Sequence, residues 1–493
     1  MPSVPVSLDE LKQFALQDAV TLEQGFPTRT KYGSSSYVSI VRSRSAKFTR
    51  SKVDNQWLES DYQLVQDVQK YLSEHEMIQV DRLLGERDAY QRLCRLLISK
   101  EYARIAEGWS ELFIETSEPI GEPDFITYYI PEWEERAILV DGEEGVTYVL
   151  GTDYTGEAKK SFLRQDMYKV KKEGGLGLHA GSKTVTIKDG EGNLRTLGQL
   201  YFGLSATGKS TLTSHGFWLE NPEHAELVQD DVVRWLPDGS ILGTEGKGLY
   251  VKTDGLNAED QPEIYNATIS ADAVLENVWV NPDGSLDFDN VSLTKNGRAI
   301  ILRKDLPNIS ESIDIDRVDQ IFFITRNPMM PPIGKLSPEQ AACAFMLGES
   351  VESSAGDPTK AGQAVRVVGT NPFIVGPKGE EGNRFLELLR AQPHVECFIL
   401  NTGGVGSPEN HKNISLKDTV HFLSRAARST VEWVLDADFG FALPKTVVGS
   451  EFDPRQRYEA ETFQLFLAQL KHERIQWLDQ FPELFPEIRK AVY

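Results

Sequence analysis

The strongest restriction on the fold comes from residues 203–210, GLSATGKS, which match the phosphate-loop pattern G-x-x-x-x-G-K-[ST]. An apolar run, LGQLYF, leads into this segment, and TLTSHGF after it can begin a helix. Gly203 and Gly208 allow the main chain to turn so that successive N–H groups face phosphate oxygens. Lys209 can place its charge on the β- and γ-phosphates, and the Ser210 hydroxyl can reach a phosphate-bound divalent metal. The strand–loop–helix setting favours a nucleotide site over a plain glycine turn.

A pair of carboxylates follows the phosphate loop at the end of a second strand-like run, AELVQDD. Asp230 and Asp231 stand at the end of that run. A carboxylate at a strand end beside a phosphate loop can hold a metal ion directly or through water. Paired aspartates at such a place also serve as turn or helix caps, so the neighbouring phosphate loop is what favours the metal role.

Upstream of the loop, the segment YTGEAKK carries Lys159 and Lys160 and precedes His179, which lies in a glycine-rich stretch. If both lysines face one pocket, their repulsion and a nearby cation lower the pKa of one amine, which can then ligate a metal as the neutral form. Without such a pocket, the lysines form a solvated surface and the histidine is a structural residue. The pattern alone leaves both interpretations open.

The charge balance excludes some classes of partner. The chain has 493 residues with 52 Lys and Arg against 74 Asp and Glu, a net charge of −22. Nucleic acids and anionic membranes attract surplus positive charge, so neither is expected as a partner. An anionic substrate would need a local basic pocket within this acidic molecule.

Targeting and redox features point to a soluble, cytoplasmic protein. The N-terminal MPSVPVSLDELKQ lacks the basic region and apolar core of a secretory signal. No apolar run approaches the roughly 18 residues of a membrane helix. Cys94, Cys343 and Cys397 are too few and too scattered for a disulfide framework or a zinc site, so we expect buried thiols.

The order of apolar patterns predicts a mixed α/β chain. Spacings of three and four predict helices over residues 56–115, and short β-rich runs follow from Ile126 onward. The glycine-rich stretch 173–182 is a candidate junction between two units. The small, polar segment 348–364 is predicted to be a surface loop or, alternatively, a lid over a site. A final amphipathic packing helix is expected near residues 456–480.

Taken together, these segments resemble the ATP-dependent phosphoenolpyruvate carboxykinase family. The resemblance is carried by an ordered series: RSAK (44–47), YTGEAKK, GLHAGS, FGLSATGKST and QDD, then TEGKGLYVKT, QPEIYNATISADAVLENV, TKNGR, PPIGKLSPEQA, SLKDT and DPRQRY. A phosphate loop alone is common to many families, whereas this ordered series is not. The matches are densest between residues 150 and 345.

The resemblance implies an α/β protein with a two-domain phosphoenolpyruvate carboxykinase-like fold. The implied domains are an oxaloacetate-binding domain at 1–174 and a P-loop mononucleotide-binding C-terminal domain at 175–493, with a possible lid at 348–373. The implied reaction converts oxaloacetate and ATP to phosphoenolpyruvate, carbon dioxide and ADP. The partners are therefore small molecules, and no oligomeric state follows from the sequence.

The resemblance also implies roles for individual residues. The transition metal, Mn²⁺ or Mg²⁺, would be held by Lys160, His179 and Asp231, and the Mg²⁺ that accompanies ATP by Ser210 with Asp230. The dicarboxylate would be held by Arg44, Tyr154, Lys160 and Arg298, and the catalytic group would comprise Lys159, Lys160, Lys209 and Arg298. Nucleotide contacts would come from the loop and three other positions: Gly203, Leu204, Ser205, Ala206, Thr207, Gly208, Lys209, Ser210, Thr211, Glu263, Arg298 and Thr419.

These residue types suit the chemistry of that reaction. Decarboxylation leaves an enolate, whose negative charge a divalent metal with N and O ligands can stabilise. Arginines hold a carboxylate through two parallel hydrogen bonds. Phosphoryl transfer then needs mainly positioning and charge neutralisation. Such a cluster would concentrate positive charge within an acidic molecule.

The sequence departs from the family pattern at several positions. Ala46 replaces a proline, Phe48 an acidic residue and Ala206 a glycine of the phosphate loop. Asn413 stands in place of an arginine that contacts the base, and the segment 295–298, KNGR, lacks a glutamate beside the arginine. These changes bear on the adenine preference and on the identity of the dicarboxylate. None of them touches the proposed metal ligands or Lys209.

Two alternatives therefore accompany a working carboxykinase. The first is a kinase of the same fold that acts on another acid or on a protein side chain, which the changes around Arg44 and Arg298 would favour. The second is a nucleotide-binding regulator without catalysis, whose expected signature would be loss of a metal ligand or of the phosphate-loop lysine. Both of those features are retained here.

Overall fold

The structure is a computed structural model that describes residues 3–40, 45–116, 121–204, 207–259, 261–294, 296–351 and 364–493. The architecture is mixed α/β, as predicted, with several sheets and helices. The chain divides into two compact units. Unit 1 comprises 1–169 and 243–309, and unit 2 comprises 170–242 and 310–493.

Unit 1 contains a mixed eight-stranded sheet and a smaller four-stranded sheet. The large sheet runs in the order Ser3–Pro5, Met77–Leu84, Arg92–Ile98, Phe125–Ile130, Val146–Leu150, Ala137–Asp141 and Thr49–Ser51, with Ile114–Glu115 beside Met77–Leu84. The small sheet runs in the order Gly248–Lys252, Arg298–Leu302, Val274–Glu276 and Ser35–Tyr37, and a hairpin joins Trp279–Val280 to Leu286–Asp287. The α-helices that begin in unit 1 are Leu8–Ala15, Ala19–Glu23, Ser45–Phe48, Glu59–Glu74, Ala103–Ser110, Thr155–Lys172 and Pro262–Thr268.

Unit 2 is built on a second eight-stranded sheet, in which three neighbouring strands, Leu194–Phe202, Gln320–Thr325 and Glu396–Asn401, are parallel. Its order is His224–Gln229, Gly181–Lys188, Leu194–Phe202, Gln320–Thr325, Glu396–Asn401, Ile333–Leu336, Ala442–Pro444 and Trp433–Leu435. A three-stranded sheet joins Leu176–His179, Val232–Trp235 and Ile241–Gly243, and two hairpins pair Glu349–Val351 with Ala364–Arg366 and Gly404–Val405 with Lys412–Asn413. The α-helices are Lys209–Ser214, Pro338–Leu347, Lys378–Ala391, Leu416–Ala427, Ala460–Leu478 and Pro486–Lys490.

Each unit buries its own apolar core. In unit 1, one cluster packs Val68 and Leu72 of a helix against strand residues such as Leu97 and Leu139. In unit 2, Phe385 packs against Phe202, Phe323 and Phe345, so the phosphate-loop strand rests on an aromatic layer. Burial of this kind contributes roughly 25 cal/mol per Å² of apolar surface. The strand that leads into the phosphate loop is therefore held in place by the apolar core of unit 2.

The predicted division into 1–174 and 175–493 is corrected by this arrangement. Residues 243–309 lie within unit 1, because Gly248–Lys252 and Arg298–Leu302 pair with each other and Val274–Glu276 pairs with Ser35–Tyr37. Strand pairing between segments far apart in sequence leaves no local compositional signal. The glycine-rich stretch 173–182 does lie just after the first of the crossings between units.

The predicted helices over 56–115 are only partly present. Glu59–Glu74 and Ala103–Ser110 are helices, whereas Met77–Leu84 and Arg92–Ile98 are strands. The run RLCRLLI lies between an antiparallel and a parallel neighbour, and its first buried positions alternate. A short apolar run of this kind fits a helix or a buried strand equally well by periodicity, and the sheet decides.

The predicted β-runs from Ile126 onward are confirmed, and so is the final helix, which spans Ala460–Leu478. The three cysteines are buried thiols, as predicted. Of the possible lid at 348–373, residues 352–363 lie outside the described residues. Among the described helices, none has both the length and the apolar character needed to cross a membrane.

Candidate active site

The phosphate loop of unit 2 lies between a buried parallel strand and a short helix, as predicted. Strand Leu194–Phe202 precedes it, and helix Lys209–Ser214 follows. Gly208 is the N-cap of that helix and has φ of 94°, a main-chain conformation that residues with a Cβ rarely adopt. At Gly203, a Cβ would lie 2.5 Å from Thr207 Oγ1, so a larger residue would force the Thr207 side chain to move. The main-chain conformation thus favours glycine at 208, and the close approach of Thr207 favours it at 203.

Hydrogen bonds hold the described part of the loop. Thr402 Oγ1 donates to Thr207 O at 2.7 Å, and Thr207 Oγ1 donates to Leu204 O at 2.8 Å. Lys209 is half-buried, while the side chains of Ser210 and Thr211 are exposed at the start of the helix. The predicted residues Ser205 and Ala206 lie outside the described residues. A helix start with a lysine and two accessible hydroxyls suits an anionic ligand.

Strand pairing places His179 beside Asp231. His179 ends strand Leu176–His179, and its register partner in the antiparallel neighbour is Val232. His179 Nε2 lies 2.9 Å from Asp231 Oδ1, and Lys209 Nζ lies 3.4 Å from the same oxygen. The structure therefore brings together three of the predicted residues, which come from three separate chain segments. Asp230 directly follows strand His224–Gln229, is the chain neighbour of Asp231, and is half-buried.

The orientation of the His179 ring is set from its other side. Its Nδ1 lies 2.6 Å from the carbonyl oxygen of Thr370, and Phe373 meets the ring edge-on at 5.7 Å between centroids. A carbonyl oxygen can only accept, so Nδ1 carries the proton. Nε2 then faces Asp231 either as the second N–H of an imidazolium or with a lone pair that shares a cation with the carboxylate.

The donor set at His179 and Asp231 fits a divalent cation. Two ligand atoms that each lie about 2.1 Å from a metal ion, at right angles, are about 3 Å apart, close to the observed Nε2–Oδ1 distance of 2.9 Å. An imidazole whose Nδ1 is held by a carbonyl is a usual metal-ligand arrangement. Over the described ranges, no group of three or more His, Cys, Asp or Glu could hold a metal ion, so a cation here needs a ligand of another type.

Two other predicted positions of unit 2 are placed less directly. Thr419 is buried on helix Leu416–Ala427, and its hydroxyl donates to Ser415 O at 3.1 Å. That bond occupies the hydroxyl hydrogen within the helix. Asn413 is exposed in the short strand Lys412–Asn413.

In unit 1, helix Thr155–Lys172 carries both predicted lysines. Lys160 forms a close ion pair with Glu157, one turn earlier on the helix, and its Nζ lies 5.3 Å from the Tyr154 ring centroid. Lys159 Nζ lies 2.9 Å from Glu245, and both side chains are almost fully buried, with 3% and 1% of their surfaces exposed. The lysine pair is therefore not a solvated surface.

Tyr250 links two of the predicted catalytic cations. Lys159 Nζ lies 5.7 Å and Arg298 Cζ lies 5.3 Å from its ring centroid. The Tyr250 hydroxyl donates to Glu276 Oε2 at 2.7 Å, and the main-chain N–H of Thr155 donates to Glu276 Oε1 at 3.0 Å. An aromatic ring attracts cations through its negative face, so Tyr250 fixes their spacing without neutralising their charge.

The electrostatics of the two tyrosines differ. Burial by itself would raise the pKa of Tyr154, but Arg298 and Lys160 outweigh it, and the pKa is lowered from its ordinary value. Burial, reinforced by the Glu276 carboxylate, raises the pKa of Tyr250 well above its ordinary value. Tyr154 therefore reports a strongly positive local field, as a site for an anionic substrate requires.

The remaining predicted residues of unit 1 are Arg44, Glu263 and Arg298. Arg44 lies outside the described residues. Glu263 is exposed in the first turn of helix Pro262–Thr268. Arg298 begins strand Arg298–Leu302, where its register partners are Lys252 and Glu276.

Sequence reasoning did not assign four residues that the structure places in these clusters: Glu157, Glu245, Tyr250 and Thr370. Glu157 had a usable signal, since it lies three residues before Lys160 on a helix. Glu245 and Tyr250 lie within TEGKGLYVKT. This segment contributes to the family resemblance, but the resemblance assigns neither residue a function. Thr370 had no signal, because its main-chain carbonyl acts and any residue has one.

Comparison with known proteins gives one matching family and relatives that share one name. A family model described as phosphoenolpyruvate carboxykinase matches residues 38–452. A protein of Aeropyrum pernix named phosphoenolpyruvate carboxykinase (ATP) is 35% identical over 462 residues, which cover 92% of this chain and 91% of that protein. Proteins of the same name from Brucella melitensis and Brucella anthropi are 30% and 31% identical over 408 residues, covering 77% of this chain and 72% of each.

Proposed function

The chain belongs to the phosphoenolpyruvate carboxykinase (ATP) family, and from this premise we propose how its residues divide the ATP-dependent conversion of oxaloacetate to phosphoenolpyruvate, carbon dioxide and ADP. The relatives' shared name favours this activity over the other kinase and the inactive regulator. The assignments of individual residues rest on the geometry of each unit. They include a P-loop nucleotide-binding function for unit 2 and a dicarboxylate-binding function for unit 1.

In unit 2, the phosphate loop binds the triphosphate of ATP. Support comes from the helix start at Gly208, the exposed hydroxyls of Ser210 and Thr211, and the Lys209 amine. Main-chain N–H groups at a helix start bind phosphate oxygens, and the lysine charge adds to them. Ser210 and, in support, Asp230 are assigned to the Mg²⁺ that accompanies the nucleotide.

His179 and Asp231 are assigned to a divalent metal ion, which the family uses. The 2.9 Å approach of Nε2 to Oδ1 and the carbonyl at Nδ1 support this assignment. Lys160, the amine predicted as a further ligand, belongs to unit 1, and its ligation stays a prediction. When bound, a divalent ion supplies Lewis-acid stabilisation of the enolate oxygen; the preference between Mn²⁺ and Mg²⁺ is left to experiment.

In unit 1, Tyr154 and Arg298 are assigned to oxaloacetate, together with Arg44 by resemblance. The lowered pKa of Tyr154 supports a positive environment for a dicarboxylate. Arg298, held near the Tyr250 ring, can grip a carboxylate with two parallel N–H groups. Decarboxylation releases carbon dioxide and leaves the negative charge on the remaining enolate, which this positive environment favours.

Phosphoryl transfer then requires charge neutralisation around the γ-phosphate. We assign Lys209, Lys159 and Arg298 to that task. The enolate oxygen forms a bond to phosphorus as the bond to the β-phosphate oxygen breaks, and ADP leaves with its electron pair. Positioned cations accelerate such a step mainly by electrostatics.

The single observation that carries the metal assignment is the cluster of His179, Asp231 and Lys209 beside the phosphate loop. The test is a coupled assay of purified protein with Mn²⁺, ATP and oxaloacetate, run against pyruvate and malate. We expect phosphoenolpyruvate only with oxaloacetate. Nucleotide hydrolysis or transfer without phosphoenolpyruvate would overturn the proposal.

The matched variants are His179→Ala and His224→Ala. His224 is an exposed histidine of the same unit, and its Nδ1 lies 3.3 Å from the carbonyl oxygen of Pro222. We expect His179→Ala to remove metal-dependent turnover and to leave ATP binding largely intact, and His224→Ala to behave as the parent. Normal turnover in His179→Ala would show that the metal assignment is wrong.

A further inference from the structure

We propose that the main-chain carbonyl of Thr370, held in a strained conformation, positions His179 for metal binding. The inference rests on the proposed function of His179 and adds a positioning residue to it. Thr370 O lies 2.6 Å from His179 Nδ1, and in return Thr370 Oγ1 donates to His179 O at 3.3 Å. The two residues, 191 positions apart, are thus joined by two hydrogen bonds.

The main chain at Thr370 is unusual for its residue type. Thr370 has φ of 51°, and Gly369 before it has φ of 58°. A positive φ is readily available to glycine but is a rare outlier for a β-branched residue. Strained main-chain conformations persist where the surrounding structure enforces them, and they concentrate at functional sites. The strain here turns one carbonyl toward one imidazole.

The surrounding contacts hold this conformation. The N–H of Thr370 donates to Val367 O at 2.8 Å, and the N–H of Asn371 donates to Val368 O at 2.9 Å. Thr370 is 4% exposed, so solvent cannot replace these bonds easily. A Cβ at Gly369 would lie 2.7 Å from the Phe345 ring, so the turn packs closely against the apolar core at this glycine. The turn is therefore fixed from both sides.

The consequence for His179 concerns which ring nitrogen is available. With Nδ1 donating to Thr370 O, the proton of a neutral ring lies on Nδ1 and the lone pair lies on Nε2. Nε2 is the atom that faces Asp231 at 2.9 Å. Phe373, edge-on at 5.7 Å, restricts rotation of the ring. A ring without the carbonyl would rotate more freely and would share its proton between both nitrogens.

The experiment compares Thr370→Val with Thr370→Gly. Both variants lose the hydroxyl, and with it the bond from Thr370 Oγ1 to His179 O that helps to hold the positive φ in the parent. Valine, whose β-branch disfavours that conformation, should then turn its carbonyl away, whereas glycine adopts the conformation freely. The difference between them therefore reports the direction of the carbonyl. The readout is the dissociation constant of Mn²⁺ alone, without nucleotide, measured by the electron paramagnetic resonance of free Mn²⁺.

We expect Thr370→Val to raise the Mn²⁺ dissociation constant by about 10- to 100-fold, the range found when a partner of a ligating histidine is lost. We expect Thr370→Gly to stay within about threefold of the parent. Equal weakening in both variants would show that the hydroxyl matters, and no weakening in either would show that the carbonyl does not position the ring. Either result would overturn the inference.

Two further measurements separate this inference from its premise. His179→Ala must weaken Mn²⁺ binding; if it does not, the metal assignment of His179 fails, whatever Thr370 does. If His179→Ala weakens binding but Thr370→Val does not, only the role of Thr370 is rejected. The affinity for MgATP and the thermal midpoint of each variant establish that the phosphate loop and the fold are intact.

Discussion

The two units assemble their functional residues in different ways. In unit 1, the Lys159 side chain is almost fully buried, and the Glu245 carboxylate and the Tyr250 ring accompany it. In unit 2, a main-chain loop and a partly exposed cluster perform the work, and the Asp231 side chain is 29% exposed. A buried charge needs its partner to remain folded, whereas an exposed charge does not. Charged residues of the same kind therefore contribute differently to stability, according to how deeply they are buried.

The difference also explains how an acidic chain can hold basic residues in one place. The Glu157 and Glu245 carboxylates offset the charges of Lys160 and Lys159 within unit 1. In unit 2, the single carboxylate Asp231 faces both His179 and Lys209. Four variants test whether the contrast between the units holds.

Glu245→Gln should lower the free energy of unfolding by about 3–5 kcal/mol, because it leaves the buried Lys159 charge without its carboxylate. The measurement is the shift of the unfolding transition in urea. The control is Glu432→Gln, whose ion pair with Lys445 at 2.7 Å is largely exposed and should contribute less than about 1 kcal/mol. Equal losses in the two variants would remove the distinction between buried and exposed charges in this molecule.

Lys209→Met should act on rate rather than on stability. Loss of a positioned charge from a transferring phosphoryl group should lower kcat about 10²- to 10³-fold, or roughly 3–4 kcal/mol. The urea transition should hardly move, since the Lys209–Asp231 contact is long, at 3.4 Å, and the Asp231 side chain is 29% exposed. Lys188→Met, at an exposed lysine of the same unit, is the control for both readouts. A large loss of stability in Lys209→Met would contradict the comparison.

Glu107→Gln should change the pH dependence of unit 1. Burial raises the pKa of Glu107 from 4.5 to about 7, against the opposing hydrogen bonds from Tyr37 and Ser35. Stability from the protonated carboxyl is fully present below pH 4.5 and is lost as pH rises through 7, by up to about 1.4 kcal/mol per pH unit. The variant should flatten that slope in urea unfolding series between pH 4.5 and 7, whereas an unchanged slope would assign it to other groups.

Gly208→Ala should cost about 1–2 kcal/mol, because φ of 94° is unfavourable for a residue with a Cβ. No atom lies within 4 Å of the added Cβ, so the cost is conformational rather than steric. We expect KM for ATP to rise about tenfold. Gly449→Ala, at φ of 73° with equally open space, should lose similar stability with KM unchanged. A raised KM in both variants would show that the effect is not specific to the loop.

The site could be predicted from the sequence to different extents in the two units. The phosphate loop is a local motif, and the flanking strand and helix follow from residues next to it in the chain. Lys159 and Lys160 were found through the family resemblance, but Glu245 was not given a role, because its pairing spans 86 residues of chain and no local pattern encodes it. For a similar reason, periodicity predicts a helix where the structure has strand Arg92–Ile98, since only the neighbouring strands distinguish the two states.

The local chemistry can be read from the order of residues: the glycines that permit the turn at 203–208, the lysine and hydroxyls after it, and the family to which the chain belongs. Three other features depend on how the chain folds: which carboxylates accompany the lysines, which segments share a unit, and which way the His179 ring faces. Local features depend on φ, ψ and the residue type at a few neighbouring positions. Partner choice depends on long-range strand pairing and burial, which become defined only when distant segments of the chain pack together.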